Sequence, residues 1–471
     1  MQATQPVPKP PRLWDSIREA LRGSHHHDYT ELNLDRALLL LAIPMVLEMS
    51  MESLFAIVDA FFVSSLGTDS VAAVALTESL VVTLYALAIG LSMATTATVA
   101  RRTGEHDPEG ASTAAAQAIL LGVLLSTILA LIGGFLAPTL LRLMGGQPSV
   151  VRAGTPFART ILGGNIVIFL LFLNNAIFRG AGDAATAMRA LWIANAINIA
   201  LNPCLILGLG PFPKLGLWGS SVGTTIGRGS GVLFQLWVLF GGRSRIRIGW
   251  SRFRLRAEVM ARLIRVSVPG IVQFLVSTAS WTGLIRIISS FGSQALAGYM
   301  LSIRVAIFAF LPAWGLCNAA ATLVGQNLGA GKPDRSERAV YRAGFYNMIF
   351  LGTIALVFII FAPGIMHIFS TDPVVVRYGV NCLRIVSAGY IFYAWGMVTV
   401  QGFNGAGDTL TPTYINLACL WGLQIPLGYS LAHVAGLGPS GVFLAIALAQ
   451  STLAVVGLLA FRSGRWKRHR V

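Results

Sequence analysis

The chain has few charged residues for its length. Only 11% of its 471 residues are charged and 55% are hydrophobic, with a mean hydropathy of +0.70, whereas soluble domains carry about 25% charged residues. The four cysteines lie singly within apolar stretches, which excludes a disulfide framework and a cysteine zinc site. These stretches also lack a His-rich metal motif, a Ser/His/Asp set and a phosphate-binding loop, which argues against a membrane-embedded enzyme. The composition predicts an all-α membrane protein.

Long apolar segments recur along the whole chain, and each is close to the roughly 20 residues that cross a bilayer. We predict twelve transmembrane helices, at 38–63, 76–99, 113–138, 160–178, 190–210, 217–240, 266–291, 302–324, 343–364, 384–404, 411–433 and 440–461.

The net charge of +16 is unevenly distributed over the predicted loops. If both ends of the chain are cytoplasmic, most lysines and arginines fall on the cytoplasmic side, as the positive-inside rule requires. The outer loops then hold only Arg142, Arg152, Arg159, Lys214, Arg377 and Arg384. We therefore expect a multi-pass protein of the cell inner membrane with both termini cytoplasmic. No aromatic residues alternate with the arginines in a recognisable module, so a nucleic-acid partner is not expected.

These patterns divide the chain into five parts. We predict a cytoplasmic N-terminal tail at 1–36, an N-lobe at 37–240, a basic cytoplasmic linker at 241–265, a C-lobe at 266–462 and a basic tail at 463–471. The N-terminal tail has no apolar core, so no cleavable signal peptide is expected, and it holds one short helix near Leu13–Leu21. The linker repeats Leu255, Val259 and Leu263 among arginines and is predicted to lie on anionic headgroups as an amphipathic helix.

The two predicted lobes are copies of one another. An offset of 225 residues aligns Pro44 with Pro269, Pro138 with Pro363, and the turn 180–183 with the turn 405–408, both of which read Gly-Ala-Gly-Asp. Because each copy has six spans, the copies enter the membrane from the same side and are related by a pseudo-two-fold axis along its normal. This arrangement is typical of transporters, with the substrate site between the repeats.

The first predicted helix carries three acids, Glu48, Glu52 and Asp59. On a helix the second and third lie about 40° and about 20° round from the first, so all three share a face. Ionisable residues within membrane spans usually face a bundle interior and often mark an ion or proton path. Their counterparts in the second copy are Gln273, Ser277 and Leu284, so the fold itself does not require acids here. The alternative role for a buried acid is an ion pair with Arg228 on the sixth helix.

The fifth predicted helix has a face of amides. Asn195, Asn198 and Asn202 lie within about 60° of one another and could approach the acids. Oxygen ligands of this kind suit Na⁺, and clustered carboxyls suit a proton. We expect Na⁺ or H⁺ as a coupling ion, no other cofactor and no bound metal.

The patterns Val58-Asp59-Ala60-Phe61-Phe62-Val63 and Arg179-Gly180-Ala181-Gly182-Asp183, together with the duplicated halves, resemble the MATE (multidrug and toxic compound extrusion) family over residues 35–462. The resemblance implies two bundles around a V-shaped cavity, alternating access, and export of amphipathic, often cationic compounds in exchange for Na⁺ or H⁺. In the DinF-like branch, an aspartate like Asp59 belongs to the N-lobe cation site. Asn198, Asn202 and Thr224 match further positions of that site, although Asn202 replaces an aspartate. Acids that serve the C-lobe of the NorM-like branch have no match within 269–291 or 383–401.

The resulting prediction is a secondary active antiporter that exports amphipathic, cationic drugs or toxic compounds, coupled through Asp59, Glu52, Glu48, Asn198, Asn202 and Thr224. The candidate residues of the substrate cavity are Phe55, Asn174, Asn175, Phe172, Tyr393, Trp395 and Arg286. The expected partners are a small organic molecule and the lipid bilayer, and the expected state is a monomer. The alternative function is a lipid-linked precursor flippase of the same superfamily, which would carry several basic residues in its cavity.

Overall fold

The structure is a computed structural model that describes residues 13–23, 27–64 and 66–469, and every regular element in these ranges is helical. The predicted tail helix is present as α1, Leu13–Arg22. The N-lobe contains α2 (Leu34–Ser64), α3 (Thr68–Gly104), α4 (Pro108–Leu143), α5 (Pro148–Gly163), α6 (Ile166–Gly180), α7 (Ala184–Leu207) and α8 (Leu217–Gly241). The C-lobe contains α9 (Ala257–Ser289), α10 (Ser293–Gly329), α11 (Pro333–Phe369), α12 (Pro373–Ala388), α13 (Tyr390–Ala406), α14 (Leu410–Val434) and α15 (Pro439–Arg462). In α14 the turns Leu417–Gln424 and Ser430–Val434 are π-helical.

The helices provide the twelve predicted spans. Within the described ranges, ten helical segments are long and apolar enough to cross a membrane, with α5 and α6 forming one of them. The pair α12 and α13 forms an eleventh that is bent by 58°. Helix α8 completes the set. It has 25 residues, enough to span a bilayer, but it is less apolar because it contains Arg228 and several glycines and serines.

The duplication seen in the sequence is repeated in local hydrogen bonds. Asp183 caps α7 by accepting hydrogen bonds from the backbone N–H of Thr186 (3.3 Å) and from its hydroxyl (2.9 Å). Asp408 accepts the same two hydrogen bonds from Thr411, at 3.1 and 2.7 Å. Each pair is separated by the same 225 residues, so the two lobes share one architecture down to their caps.

A second repeated contact supplies the hydrogen bond that is missing at a proline within a long helix. Pro138 lies inside α4 and has no N–H, so the carbonyl of Gly134 loses its helical donor. The Nε–H of Arg159 on α5 donates to that carbonyl oxygen at 3.0 Å. The same contact, also at 3.0 Å, recurs 225 residues later with Pro363, Ile359 and Arg384. In each lobe an arginine therefore ties two neighbouring helices together at the kink.

The lobes meet where the C-terminal ends of α3 and α10 cross. A methyl group on Gly104 would lie 1.9 Å from the carbonyl oxygen of Gln326, and one on Gly329 would lie 2.1 Å from that of Arg101. Only glycine permits this approach. The side-chain amide of Gln326 also donates to the carbonyl of Gly180 in the other lobe (2.9 Å). These contacts close the lobes at the face that carries residues 13–23 and 27–36, the linker and residues 463–469, which we call the basic face.

The N-terminal segment crosses this basic face instead of extending freely as a tail. Tyr29 is 4% exposed. The carbonyl of Tyr29 accepts a hydrogen bond from Arg335 (3.1 Å) and that of Thr30 accepts one from Lys332 (3.2 Å), both at the start of α11. Arg245 of the linker donates to the carbonyl of His27 and also to the carbonyl of Ala181 in the N-lobe (3.4 Å). The segment is thus bonded to both lobes.

The predicted linker does not form a separate amphipathic helix, because its C-terminal part is the start of another helix. After a short 3₁₀ turn, Trp250–Phe253, α9 already begins at Ala257. Leu263 is fully buried, and Val259 packs beside it against the N-lobe. The four-residue repeat of apolar side chains therefore reflects the packing of the first turns of α9 against the N-lobe. Of Leu255, Val259 and Leu263, only Leu255 is strongly exposed.

The contact between Arg159 and the kink of α4 gives a first prediction. Replacing Arg159→Met should lower the thermal stability of the purified protein, because the carbonyl of Gly134 loses its donor, at a cost of about 1–3 kcal/mol. Thermal unfolding in detergent measures this loss.

The control is the double variant Pro138→Ala/Arg159→Met. Alanine at position 138 restores the N–H that donates to Gly134, so the double variant should recover most of the stability. Equal losses in the single and double variants would contradict the assignment.

Candidate functional site

The three acids of α2 face the interior of the N-lobe, as predicted. Glu48 is fully buried. Its carboxylate accepts hydrogen bonds from Arg179 on α6 at 2.5 and 3.3 Å, and from the amide of Asn175 at 3.0 Å. A buried carboxylate needs such partners because an unpaired charge in a low-dielectric interior is very costly. Glu48 is therefore held in a closed ion pair, with Arg179 as a partner that the sequence did not indicate.

Glu52 has looser partners. One carboxylate oxygen lies 3.5 Å from Nη2 of Arg228 on α8, and the other lies 3.4 Å from Nδ2 of Asn195 on α7. Its side chain remains 31% exposed. The ion pair with Arg228 that the sequence offered for a buried acid is thus formed by Glu52.

Asp59 is held by neutral groups. The amide of Asn202 and the hydroxyl of Ser220 both donate to Oδ1, at 2.8 and 3.2 Å. Among the described residues, no lysine or arginine forms an ion pair with it. Of the three acids, Asp59 is the one whose charge no cationic side chain balances at contact distance.

Two more of the predicted residues pair with each other next to this aspartate's partners in sequence. The amide of Asn198, one turn before Asn202 on α7, donates to the hydroxyl of Thr224, one turn after Ser220 on α8, at 3.0 Å. The carbonyl oxygens of Asn198 and Asn202 are buried, and no described group donates to them. Carboxylate and amide oxygens are ligands that suit a hard cation, and a carboxylate also accepts a proton. Within 13–23, 27–64 and 66–469, no cluster of three or more His, Cys, Asp or Glu could hold a metal ion.

Helix geometry explains why acids and amides pair. The pairs Glu52–Asn195 and Asp59–Asn202 have the same separation in sequence, which fits α2 and α7 packing side by side in parallel. Each pair is seven residues from the other, close to two helical turns. Gly223 lets α8 pack close to Asn202, since a methyl group at position 223 would be 2.3 Å from Oδ1 of Asn202.

A cavity of about 300 Å³ lies between the lobes. Its walls include Glu48, Glu52, Arg179 and Arg228 from the N-lobe, and Gln401 from the C-lobe. The predicted cavity residues Phe172 and Asn175 also line it. A second cavity of about 230 Å³ lies in the C-lobe, is lined by Tyr393, and shares Met93, Phe274, Trp314 and Gln401 with the first.

The other predicted cavity residues lie elsewhere. Phe55 is buried with its ring 5.9 Å from the guanidinium of Arg228. Asn174 is fully buried, and its amide atoms have no described partner. Trp395 packs inside the C-lobe against Gly344. Arg286 is exposed in the last turn of α9, and neither it nor Trp395 lines the two cavities described above.

Two residues of the site were missed in the sequence. Ser220 lies one turn before Thr224 on α8, so the helical spacing of four residues could have placed it on the same face. Arg179 directly precedes the turn 180–183, and the sequence alone does not show that its side chain turns back toward α2.

The fold and site define a class of membrane transporter. The sequence model of the MatE family matches residues 44–204 and 269–430, so it matches once in each lobe, and the chain belongs to this family. It is 27% identical to the "Probable multidrug resistance protein YoeA" of Bacillus subtilis over 93% of this chain and 95% of that protein. It is 28% identical to the "Multidrug resistance protein NorM" of Burkholderia vietnamiensis, over 90% and 92%. It is also 23% identical to an "FAD transporter" of Shewanella oneidensis, over 89% and 92%.

Solved structures agree with the assignment. A crystal structure of a MATE protein in complex with MaL6 has a TM-score of 0.88 at 25% identity, covering 96% of this chain and 100% of that one. An outward-facing structure of a multidrug resistance MATE family transporter also has a TM-score of 0.88, at 26% identity and with 94% and 98% covered. The fold is thus that of a MATE transporter, with twelve helices in two lobes.

The contact between Gly223 and Asn202 gives a second prediction. Gly223→Ala should leave the protein folded, because the methyl group meets only the end of a side chain, but it should displace Asn202 from Asp59 and lower the stability by the loss of that hydrogen bond. If this oxygen cluster serves transport, substrate transport in proteoliposomes should fall by about tenfold.

Gly229→Ala is the matched control on the same helix, where the nearest atom to an added methyl group is 3.8 Å away. It should transport like the wild type. Equal transport by both alanine variants would remove Asn202 from the working site.

Proposed function

We propose that this protein is a secondary active antiporter that exports amphipathic, cationic drugs or toxic compounds in exchange for Na⁺ or H⁺. It acts as a monomer in the cell inner membrane with both termini cytoplasmic. The single observation that carries the proposal is Asp59, a carboxylate inside the N-lobe that is surrounded by neutral oxygen groups and balanced by no arginine at contact distance.

The multidrug part of the proposal is supported by the relatives, two of which are named multidrug resistance proteins. The cavity between the lobes adds apolar and aromatic walls, such as Phe172 and Trp314, beside carboxylates. A flat organic cation can gain from both kinds of surface.

The coupling part rests on how Asp59 can change its charge. Binding of Na⁺ or H⁺ would neutralise this carboxylate, and the amides of Asn198 and Asn202 can rotate to present oxygens to a cation. Because α2 also carries Glu52 in the cavity wall, occupancy near Asp59 can be transmitted along one helix to the substrate.

The flippase alternative predicts a cavity with surplus positive charge for a phosphorylated lipid. Here the two arginines of the cavity, Arg179 and Arg228, each face a glutamate. The charges balance, which favours an exporter of cations over a binder of polyphosphate groups.

The test is uptake of ethidium, a fluorescent cation, into proteoliposomes under an imposed Na⁺ or H⁺ gradient. The wild type should respond to one of the gradients. Asp59→Asn should lower concentrative uptake by about tenfold or more, because the coupling charge is lost.

Asp69→Asn is the control, since Asp69 is an exposed acid in the first turn of α3. It should behave like the wild type. A wild-type protein that responds to neither gradient, or an Asp59→Asn variant with unchanged uptake, would overturn the antiporter proposal.

A further inference from the structure

The two ion pairs in the cavity differ in how firmly they are held. Glu48 is inaccessible and bonded to Arg179 at 2.5 Å and to Asn175 at 3.0 Å. No molecule in the cavity can take its carboxylate without breaking these bonds. This pair is structural.

The pair of Glu52 and Arg228 is looser, and it is accessible only from the side of Glu52. The distance of 3.5 Å from Nη2 to Oε1 exceeds the 2.7–2.9 Å that is usual for charge-assisted hydrogen bonds. Glu52 keeps 31% of its side-chain surface exposed, whereas Arg228 keeps only 10%. The carboxylate is therefore reachable from the cavity, while the guanidinium stays in the wall.

Arg228 also has other partners that do not depend on Glu52. Its Nη1 donates to the phenol oxygen of Tyr85 at 3.2 Å. Its guanidinium carbon lies 5.9 Å from the ring centroids of both Tyr85 and Phe55, within the range of cation–π attraction. The guanidinium can move away from Glu52 by a small distance and still be held.

We propose that Arg228 is a built-in counterion of Glu52 which a cationic substrate must displace, and that this exchange sets the charge selectivity of the cavity. Without cargo, Arg228 balances the carboxylate. When a cation enters, Glu52 pairs with it and Arg228 moves to Tyr85 and Phe55. This inference rests on the proposed function and specifies how the same cavity distinguishes charged from neutral molecules.

The exchange has a physical advantage in a membrane interior. An empty cavity with a lone carboxylate would be costly to form, because an uncompensated charge is poorly solvated there. A tethered guanidinium removes that cost and returns to Glu52 when the substrate leaves, so it favours release. A neutral compound of the same shape does not compete with Arg228 and gains nothing from Glu52.

The test uses two probes of matched shape, the cation methyltriphenylphosphonium and the neutral triphenylphosphine oxide, with affinity measured by equilibrium dialysis on the full-length protein in detergent. Arg228→Gln should bind the cation about tenfold more tightly than the wild type and the neutral probe equally well. A merely structural role of Arg228 would change the affinity for both probes together.

The single variant Glu52→Gln and the double variant Glu52→Gln/Arg228→Gln complete the cycle. If Arg228 acts through Glu52, the tenfold gain should largely disappear once position 52 is neutral, so the two effects should not add. Arg142→Gln, an exposed arginine at the end of α4, is the control and should bind both probes like the wild type. Additive effects of the two substitutions would overturn the inference.

A milder variant keeps the inference testable if Arg228→Gln fails to fold. Tyr85→Phe removes the alternative acceptor, so Arg228 should stay on Glu52, and affinity for the cation should fall while affinity for the neutral probe is unchanged. Equal shifts for both probes would again contradict the exchange. If the wild type transports no cationic compound, the proposed function itself fails; if it does and only the charge selectivity is missing, the failure belongs to Arg228.

Discussion

The cost of a carboxylate in a membrane interior governs the arrangement of the N-lobe. Each acid on α2 must find partners, since water is not available to solvate it. Glu48 finds an arginine at close range, Glu52 finds one at longer range, and Asp59 finds an amide and a hydroxyl. The three acids of one helix are therefore paired in three different ways, from a close ion pair at Glu48 to neutral hydrogen-bond donors at Asp59. α6, α7 and α8 are positioned to supply those partners.

The C-lobe has the same fold, but its first helix has no acids at these positions that need partners. Gln273 and Ser277 stand where the N-lobe has Glu48 and Glu52, and the cavity there is lined by amides, hydroxyls and aromatic rings. Caps and kinks are conserved between the lobes, for example at Asp183 and Asp408, because both copies must build the same helical bundle. The two copies differ in chemistry because the C-lobe has no acids at the positions of Glu48, Glu52 and Asp59.

Much of the fold followed from the sequence, because apolar length and the 225-residue repeat are local or additive properties. The facing of the acids and asparagines was also predictable, since helical periodicity alone determines which side chains share a face. The sequence did not predict that Arg179 and Ser220 are partners of the acids, or that Arg286 lies outside the cavities. These features depend on how each helix is rotated about its axis and on which rotamers the long side chains adopt. Similarly, the apolar repeat at Leu255, Val259 and Leu263 fits a surface helix and a buried helix start equally well; tertiary packing decides between them.

The segment from His27 to Leu32 lies across the seam between the lobes. Its backbone carbonyls accept hydrogen bonds from Arg245 on one side and from Lys332 and Arg335 on the other. Opening the seam requires release from one lobe, and each bond contributes about 0.5–1.5 kcal/mol. If the lobes part at this face during transport, these few bonds oppose the opening, so substitutions in the segment ahead of α2 would change how readily the face opens.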